Sequence, residues 1–249
     1  MRGFFAAVLF AVAVIPCAIA HTENRSVPQT PSTATATEPL AAHFEASFRP
    51  SGKRASEKTD WYFLRQTDRI EALRPGGGIA EIWLRDERGD LSLKRIFHPD
   101  RRVVEYFTGD LRAMGVANSW AKLGSIIDPA SLGQQLKRAG TAKVSHGETT
   151  RYKGSHAGES IEVWWLERAA LPAKIIQESD DGRFTLTLKA LHASPPPSWP
   201  RTDETAIAGY LVIDAADLGD RHGDPFVKKI ERFDAETHAF GRTNLGHSH

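Results

Sequence analysis

Cysteine is almost missing from this chain: the one cysteine in 249 residues is Cys17. It lies within the first 20 residues, so a chain cleaved beyond them has no disulfide, no thiolate nucleophile and no cysteine metal ligand. Stability then has to come from a packed core. An excess of one charge is missing too, with 32 Lys and Arg against 31 Asp and Glu. That balance argues against nucleic acid as a partner, because such binding calls for a basic face. The runs Lys94-Arg95, Arg101-Arg102 and Lys228-Lys229 have acidic neighbours and read as mixed-charge surface. After the first 20 residues no apolar stretch is long enough to span a bilayer. The common catalytic signatures G-x-S-x-G, H-E-x-x-H and the P-loop do not occur. Glu159 and Glu162 fall at i and i+3 on an expected strand, where they face opposite sides and cannot share a substrate. Asp214, Asp217, Asp220 and Asp224 lack the spacing of a calcium loop. These absences predict a non-catalytic protein with no cofactor and no metal site.

What is present begins with a secretory signal. Met1-Arg2-Gly3 is a basic start, Phe4 to Ile15 is apolar without a break, and Ala18-Ile19-Ala20 is an A-x-A cleavage signal. Residues 1–20 are therefore expected to be removed, leaving a periplasmic chain with no membrane span. Lipidation at Cys17 is disfavoured because Pro16 precedes it, where a lipoprotein signal has a small residue. Residues 21–40 contain no aromatic side chain and are rich in Thr, Ser, Pro and Ala, which predicts a disordered tether. Cleavage after Ala20 exposes His21 as a free terminus. With His222, His238, His247 and His249 it suggests weak metal handling as one alternative role.

Residues 41–193 read as a sheet domain. Leu40, Ala41, Phe44 and Phe48 predict a short helix. Trp61–Leu64 and Arg69–Leu73 then form a hairpin, and strands follow at Ile79–Arg85, Leu91–Phe97 and Arg102–Thr108. Their turns recur at the 8–12 residue spacing of all-β folds. A helical insert over 119–139 starts with Ser119 as a cap. Asp128-Pro129 caps a second helix, whose stripe is Leu132, Leu136 and Ala139, with Gly140 as its stop. Strands resume at Thr141–Ser145 and Thr149–Lys153. Residues 159–191 form a three-strand meander, broken at Pro172 and turning at Asp181-Gly182, a strong hairpin signal. Several strands carry large apolar residues on both faces, so both faces need cover. Residues 194–249 form a proline-rich joint (SPPPSWP), a strand near Tyr210–Ile213, and a C-terminal helix carrying Phe226, Ile230 and Phe233. The fold class is mainly β (α+β): a strongly curved, unclosed antiparallel sheet with a helical lid and a C-terminal helix.

Asp60-Trp61-Tyr62-Phe63, the run Val163-Trp164-Trp165-Leu166, the Leu171-Pro172 joint and Asp181-Gly182-Arg183 together carry a family pattern. It resembles the periplasmic lipoprotein-carrier fold of LolA and LolB, shared with the sigma-factor regulator RseB. The resemblance implies a curved open sheet around an apolar cavity, lidded by helices. The expected function is binding of an apolar small molecule or a lipoprotein acyl chain. An envelope-stress or assembly factor with a protein partner is the alternative. The candidate ligand-binding set is Trp61, Phe63, Trp83, Tyr106, Trp164 and Trp165, since aromatic-lined concavities are the usual ligand sites. Whichever of Trp164 and Trp165 faces the cavity is expected to matter more.

Overall fold

The computed structural model describes residues 38–231, except 75, 77, 117, 118, 157 and 222. The first half of the chain gives six strands: β1 (Leu40–Pro50), β2 (Glu57–Arg65), β3 (Arg69–Arg74), β4 (Ile79–Arg85), β5 (Leu91–Phe97) and β6 (Arg102–Tyr106). Three short helices follow, α1 (Thr108–Ala113), α2 (Trp120–Ser125) and α3 (Pro129–Gln135). The second meander is β7 (Lys137–Val144), β8 (Gly147–His156), β9 (Glu159–Leu166), β10 (Leu171–Ser179) and β11 (Gly182–His192). The chain continues through α4 (Glu204–Ile207) and β12 (Leu211–Asp214), and residues 225–231 are helical.

All twelve strands belong to one sheet, in the order β12-β6-β5-β4-β3-β2-β1-β11-β10-β9-β8-β7. Every neighbouring pair is antiparallel except β12, which runs parallel to β6. β1 is the pivot: one meander grows from its β2 side and the other returns to its β11 side. The outer strands β12 and β7 do not pair, so the sheet is curved and unclosed. The expected fold class is thus observed. Among the described residues no helix is long and apolar enough to cross a membrane.

The helix expected at Leu40–Phe48 is instead central strand β1. Leu40, Phe44 and Phe48 stand four apart, a spacing that keeps side chains on one face of a strand as well as of a helix. Ala42 and Ala46 fill the positions between them and pack into the same core. The helical insert also stops earlier than residue 139. Leu136 already has extended backbone (φ −118°, ψ 146°), and β7 starts at Lys137. Gly140 is not a helix stop but sits in a β-bulge of β7, at φ +101°. The strand expected to reach Thr108 ends at Tyr106, and α1 takes over with Asp110 accepting from the Phe107 amide at 2.8 Å. The two expected caps are present: Ser119 Oγ accepts from the Lys122 amide at 3.1 Å, and Asp128 Oδ1 from the Ala130 amide at 3.0 Å.

The inner face of the sheet and the outer face of its β2–β6 half are covered by different parts of the chain. The inner face carries the main core: Phe44, Phe63, Trp83, Val163 and Ile175 from the strands, with Leu111, Ile126 and Leu132 from the helical segment. The outer face of β2–β6 is covered by the segment after the proline-rich joint. Trp199 packs edge-on to Tyr62 at 4.9 Å, Thr202 donates to Glu71, and Ile207 and Tyr210 close over Leu73, Ile82, Ile96 and Val103. The chain then adds β12 at the sheet edge and turns to the inner side. There Phe226, Val227 and Ile230 are buried, and Phe226 meets Phe97 at 5.1 Å. The C-terminal segment is thus a strap wrapped around one edge, and the paired apolar faces of β3–β6 are explained by it.

The hairpin at Asp181-Gly182 tests this packing. Gly182 has φ +150°, and a Cβ there would lie 2.3 Å from Arg49 O and 2.9 Å from Pro50 Cα. Gly182→Ala is expected to destabilise the protein by about 2 kcal/mol, combining a backbone penalty with a clash that side chains cannot relieve. Gly89→Ala, at φ +86° with nothing within 4 Å, should cost only about 1 kcal/mol. Urea midpoints of the two variants check the order. Equal midpoints would contradict it.

Candidate functional site

Strand register places the inner-face side chains in rows. Phe63, Ala72, Glu81, Arg95 and Val104 form one row across β2 to β6. Ile70, Trp83, Leu93 and Tyr106 form the next. Over these rows sits α2, and between them is a cavity of about 60 Å³. Its walls are Trp61, Phe63, Ile70, Ala72 and Trp83 from the sheet, with Leu123 and Ile126 from the helical side. Ile126 holds φ +68° and ψ −41°, a positive-φ conformation outside the left-handed helical region and uncommon for a β-branched residue. Strain of this kind persists only where the surroundings impose it.

One end of the cavity is polar, lined by Arg74, Glu81 and Lys122. Glu81 is 1% exposed, and Arg95 Nε donates to its Oε1 at 2.9 Å. Arg74 Nη2 stands 4.0 Å from the other carboxylate oxygen. Arg95 also donates to the Tyr106 hydroxyl at 3.3 Å. Burial lowers the Arg74 pKa; Glu81 opposes that shift and Arg95 adds to it. Burial likewise pushes Lys122 down to about 8, with Asp128 pulling the other way. Below about pH 8 the protein therefore carries a buried ammonium on the cavity wall, at a cost in stability that fades as pH rises toward the usual lysine range.

Arg65 fixes the position of α2 over the sheet. It is 2% exposed and donates to three backbone carbonyls: Glu38 at 3.0 Å, Gly124 at 2.6 Å and Ala169 at 2.9 Å. Burial pushes its pKa down to about 10, partly offset by Glu38. One guanidinium thus ties the N-terminal entry, the end of α2 and the turn between β9 and β10. Arg85 lies over the Trp120 ring at 4.8 Å and adds a second tie to α2.

The six aromatics of the expected site divide into three groups. Trp61, Phe63 and Trp83 line the cavity. Tyr106 and Trp165, 2% and 3% exposed, are packed in the inner core outside the cavity wall. Trp164 is on the outer face, so its place in a ligand-binding set is corrected. Its Nε1 donates to Glu162 at 2.8 Å, and Arg151 and Lys174 cover its ring at 5.2 and 5.4 Å. The period-2 alternation of β9 puts Ile161, Val163 and Trp165 inward, and Glu162 marks the outward side. Glu159 and Glu162 do face opposite ways: Glu159 is buried and accepts from Gln177, while Glu162 meets Arg151 at 2.6 Å. The sequence reading missed Arg74, Glu81 and Lys122. The available signal was one carboxylate amid the apolar run of β4.

A second depression, of about 500 Å³, lies at β7, β8 and residues 166–168. Threonines and both charge signs line it (Arg138, Arg168, Glu148, Glu167), so it favours neither an apolar nor a singly charged ligand. Among the described residues no three His, Asp or Glu gather to hold a metal ion. His21, His222, His238, His247 and His249 lie outside the described residues.

No family model matches the sequence, and no curated protein matches it. Solved structures do show a likeness. PNGF-II, in a P21 crystal form, is 12% identical with a TM-score of 0.41, over 74% of this chain and 33% of that one. This chain therefore spans about a third of PNGF-II. An uncharacterized conserved protein from Thermus thermophilus is 9% identical with a TM-score of 0.34, over 73% of this chain and 93% of that one. A DUF1329 family protein from Desulfovibrio piger is 9% identical with a TM-score of 0.31, over 63% and 85%. At these identities and scores the likeness assigns no activity.

Proposed function

We propose that this is a non-catalytic periplasmic protein that binds an apolar ligand, a lipid or lipoprotein acyl chain, on the inner face of its open sheet. In this reading it is a divergent member of the lipoprotein-carrier-like class typified by LolA, LolB and RseB. The observation that carries the reading is the apolar cavity between Trp61, Phe63 and Trp83 on the sheet and Leu123 and Ile126 beside α2. At about 60 Å³ it is smaller than the roughly 300–1,000 Å³ of ordinary ligand pockets. The ligand therefore enters by displacing α2, a six-residue helix too short to be stable without its contacts. Each methylene buried returns about 0.8 kcal/mol, so a medium-length chain offsets that displacement.

The test is a titration of the protein from residue 21 with a fluorescent fatty acid, in parallel with Ala72→Leu. Ala72 lies on the cavity wall between Phe63 and Glu81, so the added carbons fill the space a ligand needs. The expected result is saturable binding by the parent and at least a tenfold loss in the variant, which stays folded at an overpacking cost of about 1–3 kcal/mol. Unchanged affinity in Ala72→Leu places the ligand elsewhere.

A further inference from the structure

We propose that the ligand of this cavity is an anionic amphiphile, its acyl chain on the aromatic wall and its carboxylate or phosphate head at the Arg74 and Lys122 end. This rests on the apolar-ligand reading above and adds the head group to it.

The cavity is built with two unlike ends. Along β3, Ile70, Ala72 and Arg74 occupy alternate positions on the same face, so the wall runs from aliphatic to cationic within one strand. Across from them on β4, Trp83 and Glu81 run from apolar to acidic, in register with Ile70 and Ala72. Lys122 comes from the opposite side, on α2, and is 5% exposed. Two cationic side chains and one carboxylate therefore line the polar end. The carboxylate is already engaged from outside the cavity by Arg95 at 2.9 Å, while Arg74 stands off at 4.0 Å. The wall carries a net positive charge in a setting that excludes most water. There a charge-assisted hydrogen bond to an anion is worth more than at the surface.

Placing Lys122 on α2 has a further consequence. A ligand that displaces α2 moves this ammonium with the lid, and an anionic head gives the displaced lid a partner that a neutral ligand does not.

The experiment displaces an apolar dye from the protein (residue 21 onward) with dodecanoate, dodecyl phosphate, dodecanol or methyl dodecanoate. The two anions are expected to bind at least tenfold more tightly than the two neutral compounds, and their ranking distinguishes a carboxylate from a phosphate site. Lys122→Met should remove that advantage, lowering the affinity for the two anions at least fivefold more than the affinity for dodecanol. Lys122→Arg should restore the preference. Near-ultraviolet circular dichroism checks that each variant is folded. Equal binding of anions and neutral compounds overturns the head-group assignment and leaves the apolar-ligand reading in place. Failure of all four to bind overturns both. A preference that survives in Lys122→Met also overturns the assignment.

Discussion

Arg65→Ala is expected to lower stability by about 4 kcal/mol, among the largest single-residue effects in the protein. Its guanidinium reaches three carbonyls that belong to three different segments, at Glu38, Gly124 and Ala169. Removing it leaves buried acceptors without donors, at about 1–3 kcal/mol each when no water takes over. It also opens a void under the end of α2. Arg65→Lys should recover little, because one ammonium cannot span the geometry of a fork. The surface pair Lys58–Glu45 provides the contrast, with Lys58 59% exposed, and its loss should cost no more than about 1 kcal/mol. Guanidinium chloride denaturation, followed by tryptophan fluorescence, measures all three. A loss below about 1 kcal/mol for Arg65→Ala would contradict the role of this residue as the tie for α2.

Glu81→Ala is expected to cost about 3–5 kcal/mol, the usual penalty when one partner of a buried ionic group is removed. The variant leaves Arg74 and Arg95 facing each other without the carboxylate between them. The pair is not thereby a net source of stability. Desolvating both charges offsets much of their attraction, so Glu81→Leu combined with Arg95→Met should be considerably more stable than Glu81→Ala alone. The same double variant makes the polar end of the cavity apolar apart from Arg74 and Lys122. A stability equal to or below that of Glu81→Ala would show that the arginine's other contacts, including Tyr106, dominate.

Much of the sheet was legible because its punctuation is local. β4 and β5 have the bounds expected from their alternation, set by the turn at Gly89 and by His98-Pro99-Asp100. The Asp181-Gly182 hairpin and the caps at Ser119 and Asp128 depend on neighbouring residues alone. β1 was misread because a spacing of four satisfies both periods, and only its two strand partners decide between them. The strap from Trp199 to Tyr210 was not legible as cover for the outer face. Its contacts join residues more than 100 positions apart, as Glu71 and Thr202 show. The polar end of the cavity was missed for the same reason. Glu81 and Arg95 meet through strand register, and Lys122 joins Glu81 on the cavity wall from a helix that pattern alone does not orient. Of the aromatic set, the choice between Trp164 and Trp165 was available in the alternation of β9, where Glu162 identifies the outward face.

The most direct test takes protein from residue 21, purified without detergent, through lipid mass spectrometry and a titration with a fluorescent fatty acid. The account predicts saturable binding near one equivalent, competed by unlabelled lipid and lost in Ala72→Leu. No binding by a protein whose circular dichroism shows an intact sheet would contradict it, and Trp61, Phe63 and Trp83 would then be core residues of a fold with another task.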